Sequence, residues 1–148
     1  MMESSIEIIK RKLILYATAM DTRNWSLVDD VFHKDATAFY GDDNFSFEPQ
    51  SREEILIMCK SSLGGCGWTQ HMLTNFRILK INSEEATSAC YVRAYHVGLS
   101  PNEKEYWEMF GEYQDKWKLF NGDWVIEKRI LRVDHDHGNR DKVLAPGV

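Results

Sequence analysis

Cysteine is scarce in this chain. Cys59, Cys66 and Cys90 are odd in number and have neither CxxC nor metal-ligand spacing, so a disulfide framework and a thiolate zinc site are not expected and reduced thiols are. No apolar run approaches the roughly 20 residues that a spanning helix needs, which argues against a membrane protein. An excess of basic residues is lacking too: 18 Lys and Arg against 23 Asp and Glu give a formal charge of −5, whereas a nucleic-acid surface gathers cations on one face. The opening Met1-Met2-Glu3-Ser4 has no basic region leading into an apolar stretch, so no secretory signal is read and the expected compartment is the cytoplasm. HExxH, P-loop, GxGxxG and nucleophile-elbow patterns are all missing, which removes support for metalloprotease, nucleotide-dependent and serine-hydrolase chemistry.

What is present fits one soluble domain: 148 residues, 43% hydrophobic and 28% charged. Ser4-Ser5-Ile6-Glu7 is a capping box that opens a helix. Ile6, Ile9, Leu13, Tyr16, Ala17 and Met20 form its apolar stripe, and Lys10, Arg11 and Lys12 read as solvated. Asp21 follows the stripe at the C-terminal end, where the helix dipole disfavours an acid; it is either a cap for the next turn or has another task. Trp25, Val28, Val31 and Phe32 suit a short second helix, Asp35 to Tyr40 a first strand, and Gly41 to Pro49 a loop with a short strand. Ser51-Arg52-Glu53-Glu54 opens another helix through about Leu63, ended by Gly64, Gly65 and Gly67.

Three β-patterned runs follow, His71 to Ile81, Ala86 to Leu99 and Glu105 to Phe120, and Asn121-Gly122 signals a tight hairpin into a fourth, Asp123 to Asp134. Helices first and strands after is α+β order. From Arg132 the pattern dissolves, so the domain is placed at 1–134 and 135–148, with its Pro146-Gly147 pair, is read as a mobile tail. The Asp134-His135-Asp136-His137 cluster offers ligand types for a divalent ion, but a third ligand is not visible and no metal is expected.

Strand alternation puts His71 on one face with Thr69, Leu73 and Asn75. It puts His96 with Cys90, Val92 and Ala94, and sets Trp107, Met109, Gly111, Tyr113, Asp115 and Trp117 inward. Asp21, Tyr40, His71 and His96 are the polar residues that folding does not require. Tyr16-Ala17-x-x-Met20-Asp21-x-x-Asn24-Trp25, a strand ending in Tyr40, Thr69-Gln70-His71, Tyr95-His96, and Trp117 to Asn121-Gly122-Asp123-Trp124 together resemble the SnoaL-like, nuclear-transport-factor-2-like superfamily, nearest to scytalone-dehydratase-like proteins. The resemblance spans about Ile8 to Arg132.

The resemblance implies a cone-shaped α+β barrel, its N-terminal helices packed on a curved, mainly antiparallel sheet, with no cofactor and with self-association as a trimer or dimer. It places the family's carboxylate on Asp21, its strand tyrosine on Tyr40, its proton-transferring histidine on His71 and its second histidine on His96. Where the dehydratases have a tyrosine, a serine and an asparagine, this chain has Met20, Gly111 and Tyr113, so its substrate contacts differ. An acid and histidine at these positions is also similar to the bacterial dehydrochlorinases and steroid dehydratases of the superfamily.

The chemistry follows from the residue types. A carboxylate bonded to one imidazole nitrogen fixes the tautomer and stabilises the imidazolium formed when the other nitrogen takes a proton. Asp21 then orients and His71 abstracts a proton next to a carbonyl. Tyr40, with Tyr113, donates to the developing enolate, and His96 protonates a departing hydroxyl. The expected reaction is a cofactor-independent, dehydratase-type β-elimination on a small hydrophobic or polycyclic hydroxy-carbonyl compound, contacted by Tyr113, Met20, Trp107 and Trp124. Two alternatives stand beside it: an isomerase or cyclase using the same groups, and a non-catalytic binding or assembly subunit, for which His96 is a core histidine and the tyrosines and tryptophans are core or interface residues.

Overall fold

The computed structural model describes residues 2–144. Helix α1, Ser5–Thr22, starts on the capping box: Ser4 Oγ accepts from the Glu7 amide, and the Glu7 carboxylate accepts from the Ser4 amide at 2.8 Å. Its stripe is buried from Ile9 to Met20, but Ile6 is exposed. Lys12 is the opposite case, a lysine expected in solvent that is almost fully buried. Its Nζ donates to the Asp30 carbonyl at 2.6 Å and pairs with Asp123 at 2.5 Å, so its charge is met by groups from elsewhere in the chain.

The expected second helix is a 3₁₀ segment, Trp25–Asp30. Strand β1 starts earlier than the sequence pattern marks, Phe32–Gly41, and pairs with the two-residue β2, Ser46–Phe47. Helix α2, Arg52–Leu63, is capped by the Ser51 hydroxyl. Strands β3, Cys66–Ile81, β4, Glu85–Gly98, β5, Tyr106–Phe120, and β6, Asp123–Gly138, form the antiparallel meander. Asn121 and Gly122 both have positive φ at the β5–β6 turn, as a two-residue hairpin of primed type requires. The sheet order is β2-β1-β6-β5-β4-β3, and only β1 against β6 is parallel. The result is α+β: a curved, mainly antiparallel sheet wrapped around α1 and α2 as a cone.

The interior takes the alternation read from the sequence. Trp107, Met109, Gly111, Tyr113, Asp115 and Trp117 of β5 are all buried, as are Cys90, Val92, Ala94 and His96 of β4. At Gly111 the backbones approach so closely that a Cβ would lie 2.3 Å from the Arg132 carbonyl oxygen, which accounts for glycine there. The β3 alternation fails at Asn75, which has φ 53 at a register shift between Thr74 and Arg77 and turns out to solvent.

The sheet also continues past Asp134. Residues 135–138 extend β6, with His135, Asp136, His137 and Gly138 opposite Phe110, Met109, Glu108 and Trp107. A short helix α3, Arg140–Val143, follows and buries Val143 and Leu144. Pro146-Gly147 lies outside the described residues. No helix among those described is long and apolar enough to cross a membrane.

Candidate active site

Asp21 sits in the last turn of α1, which lies against β3. Its carboxylate is fully engaged there: Oδ1 is 2.7 Å from His71 Nδ1 and accepts from Thr69 Oγ1 at 3.1 Å, while Oδ2 accepts from the His71 amide at 2.9 Å. This carboxylate therefore holds both the ring and the backbone of His71. Burial works to raise the Asp21 pKa, but the hydrogen bonds from the His71 ring, the His71 amide and Thr69 outweigh it and hold the carboxyl below the usual range. The pair contributes stability above the ordinary carboxylate range and loses it as the pH falls through the lowered value. Arg23, in the left-handed conformation just past the helix, locks this corner by donating to Thr69 Oγ1 at 2.8 Å, to the Gly67 carbonyl at 2.9 Å and to the Met20 carbonyl.

With Asp21 accepting at Nδ1, the favoured neutral tautomer of His71 carries its hydrogen there and leaves Nε2 as a base. The His71 side chain, only 8% exposed, forms part of the wall of a cavity of about 90 Å³. Tyr40, Tyr113, His96, Trp107 and Met20 share that wall. The lining is largely apolar, so the few polar atoms that face it act in a medium where electrostatic interactions are strong. The volume is below the roughly 300–1,000 Å³ of drug-sized sites. A larger guest needs wall side chains to yield, and Met20, Met58 and Met109 are the flexible ones.

One side of the cavity wall is a layer of tyrosines on a buried cation. Tyr40 Oη and Tyr16 Oη are 2.9 Å apart, and Tyr16 Oη is 3.6 Å from Cys59 Sγ. Arg129, fully buried, makes two parallel bonds of 2.7 and 2.8 Å to Asp115, directly opposite it on the neighbouring strand. Its guanidinium carbon lies 4.1 Å from the Tyr113 ring centre and 4.4 Å from that of Tyr16, within cation–π range.

His96 is almost wholly buried. Burial, followed by the neighbouring His71 ring, pushes its pKa down to about 3, against the opposing pull of its bond to the Trp107 carbonyl. At neutral pH it is uncharged, and Nδ1 donates its single hydrogen to that carbonyl at 3.0 Å. A ring in this state has no proton for a leaving group. Its edge meets His71, with ring centres 5.4 Å apart.

Trp124 is buried opposite Leu119, beside the Asn121-Gly122 turn, and is absent from the cavity wall. Alternation correctly faces it inward but does not say at which end of the cone. Trp107 is in the wall and donates to Asp136 at 2.6 Å. In the 134–137 cluster, Asp134 pairs with Arg132 and His137 lies 3.0 Å from Glu108. No group of three or more ligand-type side chains among the described residues is arranged to hold a metal ion.

Other wall residues carry no such signal in the sequence. Tyr16 and Cys59 were hidden among core positions of two helices, and Phe45 and Phe47 sat in a stretch read as loop. Thr69 did carry a signal, since it shares the His71 face in the Thr69-Gln70-His71 segment.

The fold and the site together describe an α+β cone with an acid–histidine pair whose ring lies in the cavity wall. The family model of the SnoaL-like domain matches residues 4–130, and the chain belongs to that family. No curated protein matches it in sequence. Among solved structures it is similar to a candidate aromatic ring hydroxylase from Novosphingobium aromaticivorans, at 21% identity and a TM-score of 0.82, covering 93% of this chain and 94% of that one. A candidate scytalone dehydratase from the same organism gives 22% identity and a TM-score of 0.78 over 95% and 91%. The hexachlorocyclohexane dehydrochlorinase LinA-type3 from Novosphingobium barchaimii gives 14% and 0.75 over 89% and 88%. At these identities the likeness is one of fold.

Proposed function

We propose that the protein is a cofactor-independent lyase that removes water from a small hydroxy-carbonyl compound. The observation that carries this reading is the 2.7 Å Asp21–His71 contact on a ring that also walls the cavity holding Tyr40 and Tyr113. His71 Nε2 takes the proton from the carbon next to the carbonyl, Asp21 stabilises the imidazolium, and a tyrosine hydroxyl donates to the carbonyl oxygen as it becomes an enolate. The enolate then collapses and expels the β-hydroxyl. Because His96 is neutral with its hydrogen committed to Trp107, the imidazolium of His71 returns its proton to the departing oxygen. One ring serving both steps requires the C–H and C–O bonds on the same face, so the elimination is syn. The similar structures named as dehydratase and dehydrochlorinase support elimination as the reaction type.

The test is a panel of single-ring and smaller β-hydroxy ketones and acids, followed by the rise of conjugated-carbonyl absorbance. Substrate deuterated on one face of the α-carbon should lose the deuterium syn to the hydroxyl. Exchange of that deuterium with solvent without water loss would instead make the protein an isomerase or enolising enzyme. Asp21→Asn keeps the shape of the pair and removes the charge, so kcat is expected to fall at least about 10²-fold with little change in KM. An unchanged kcat would reduce Asp21 to a structural bond at the end of α1.

A further inference from the structure

Three groups in the tyrosine layer carry one hydrogen each. Tyr40 Oη has Tyr16 Oη as its partner at 2.9 Å, and Tyr16 Oη also faces Cys59 Sγ at 3.6 Å. All three are buried, Cys59 has no other hydrogen-bond partner among the described residues, and Tyr16 and Tyr40 both reach the cavity. Tyr16 has one hydrogen and two acceptor sites, so it can accept from both neighbours or pass its hydrogen on to either, and the last two arrangements make a directed chain. If Tyr40 donates to Tyr16 and Tyr16 to the sulfur, Tyr40 shows the cavity only a lone pair, and a strong O–H donor is spent on a weak acceptor. If the thiol donates to Tyr16 and Tyr16 to Tyr40, both contacts persist and the Tyr40 hydrogen is left for a guest. A guest oxygen that accepts from Tyr40 therefore selects the second direction, and hydrogen bonds made in series polarise one another. The Arg129 cation against the Tyr16 and Tyr113 rings favours negative charge developing in this layer.

We infer that Tyr16 is a positioning residue for Tyr40: the Cys59 thiol donates to Tyr16, Tyr16 donates to Tyr40, and the Tyr40 hydrogen is turned into the cavity toward an anionic or carbonyl oxygen of the bound molecule. This inference rests on the proposed elimination only in naming the oxygen as the substrate's carbonyl.

Binding of 4-nitrophenol, whose absorbance separates phenol from phenolate, tests it without turnover. The wild-type protein should bind the phenolate form more tightly and lower the pKa of the bound probe. Tyr16→Phe should weaken phenolate binding about 3- to 10-fold, the effect of one hydrogen bond passed through a neighbour, and move the bound pKa back toward its solution value. Cys59→Ser, which substitutes a stronger donor, should hold or tighten binding, and Cys59→Ala should weaken it less than Tyr16→Phe does. Phenolate affinity unchanged in Tyr16→Phe, or lowered by Cys59→Ser as much as by Tyr16→Phe, overturns the inference. So does a wild-type protein that does not bind the probe. The cysteine variants keep the test open should Tyr16→Phe fold poorly. Water loss from hydroxy-carbonyls without a Tyr16 effect on the probe sinks this inference alone; a Tyr16 effect without water loss from any of them sinks the elimination alone.

Discussion

His71→Ala is expected to lower kcat/KM for water loss by about 10²- to 10⁴-fold, the usual contribution of a positioned base, while the melting temperature stays within a few degrees of wild type. Among the described residues, His71 is the imidazole of the cavity wall that is bonded to a carboxylate. His96 cannot replace it, because burial holds its pKa near 3 and a base that weak takes little from a carbon acid. The fold has less to lose. Asp21 keeps the amide of residue 71 and the Thr69 hydroxyl, and Arg23 still fastens the end of α1 to β3. His71→Gln separates geometry from chemistry, since an amide can bond Asp21 but cannot carry the proton. Its stability should match wild type and its activity should match His71→Ala. A His71→Ala protein that turns over the same compound within threefold of wild type would place the base elsewhere.

Asp21 and His71 each carried a local signal, an acid at the wrong end of a helix and a histidine on a mixed strand face, but the family resemblance is what paired them; in the fold Asp21 bonds both His71 and its face-mate Thr69. The succession β3 to β6 could also be read, because each turn carried its own residues, whereas the parallel pairing of β1 with β6 could not. What could not be read depends on parts of the chain that meet only in three dimensions. Lys12 looks solvated on its own helix, and nothing nearby in sequence announces the Asp30 carbonyl or Asp123. Residues 135–138 lack an alternating apolar pattern because their side chains reach solvent, yet their backbone completes the pairing with β5. Tyr16 has the spacing of a core residue and is one; its hydroxyl contact becomes visible only when β1 brings Tyr40 over it.

The largest expected loss of stability comes from Asp115→Ala, about 3–5 kcal/mol. Asp115 and Arg129 face each other across β5 and β6, both side chains are out of water, and the two bonds between them are short and parallel. Removing the carboxylate leaves a guanidinium with no anion and no solvent, and stacking on Tyr16, Tyr113 and Phe32 does not replace either. In a domain of this size each kcal/mol is worth roughly 2–4 °C, so the melting temperature should drop by about 6–20 °C. Replacing both partners with apolar residues of similar volume, Asp115→Leu with Arg129→Met, should recover most of that loss, because a buried ion pair often adds little over good apolar packing. The same double variant should not recover phenolate binding, since the cation beneath the tyrosines is gone. Recovery of stability without recovery of binding would mean that the ion pair serves the cavity. Recovery of both would make it a structural bond whose proximity to the tyrosines has no chemical consequence.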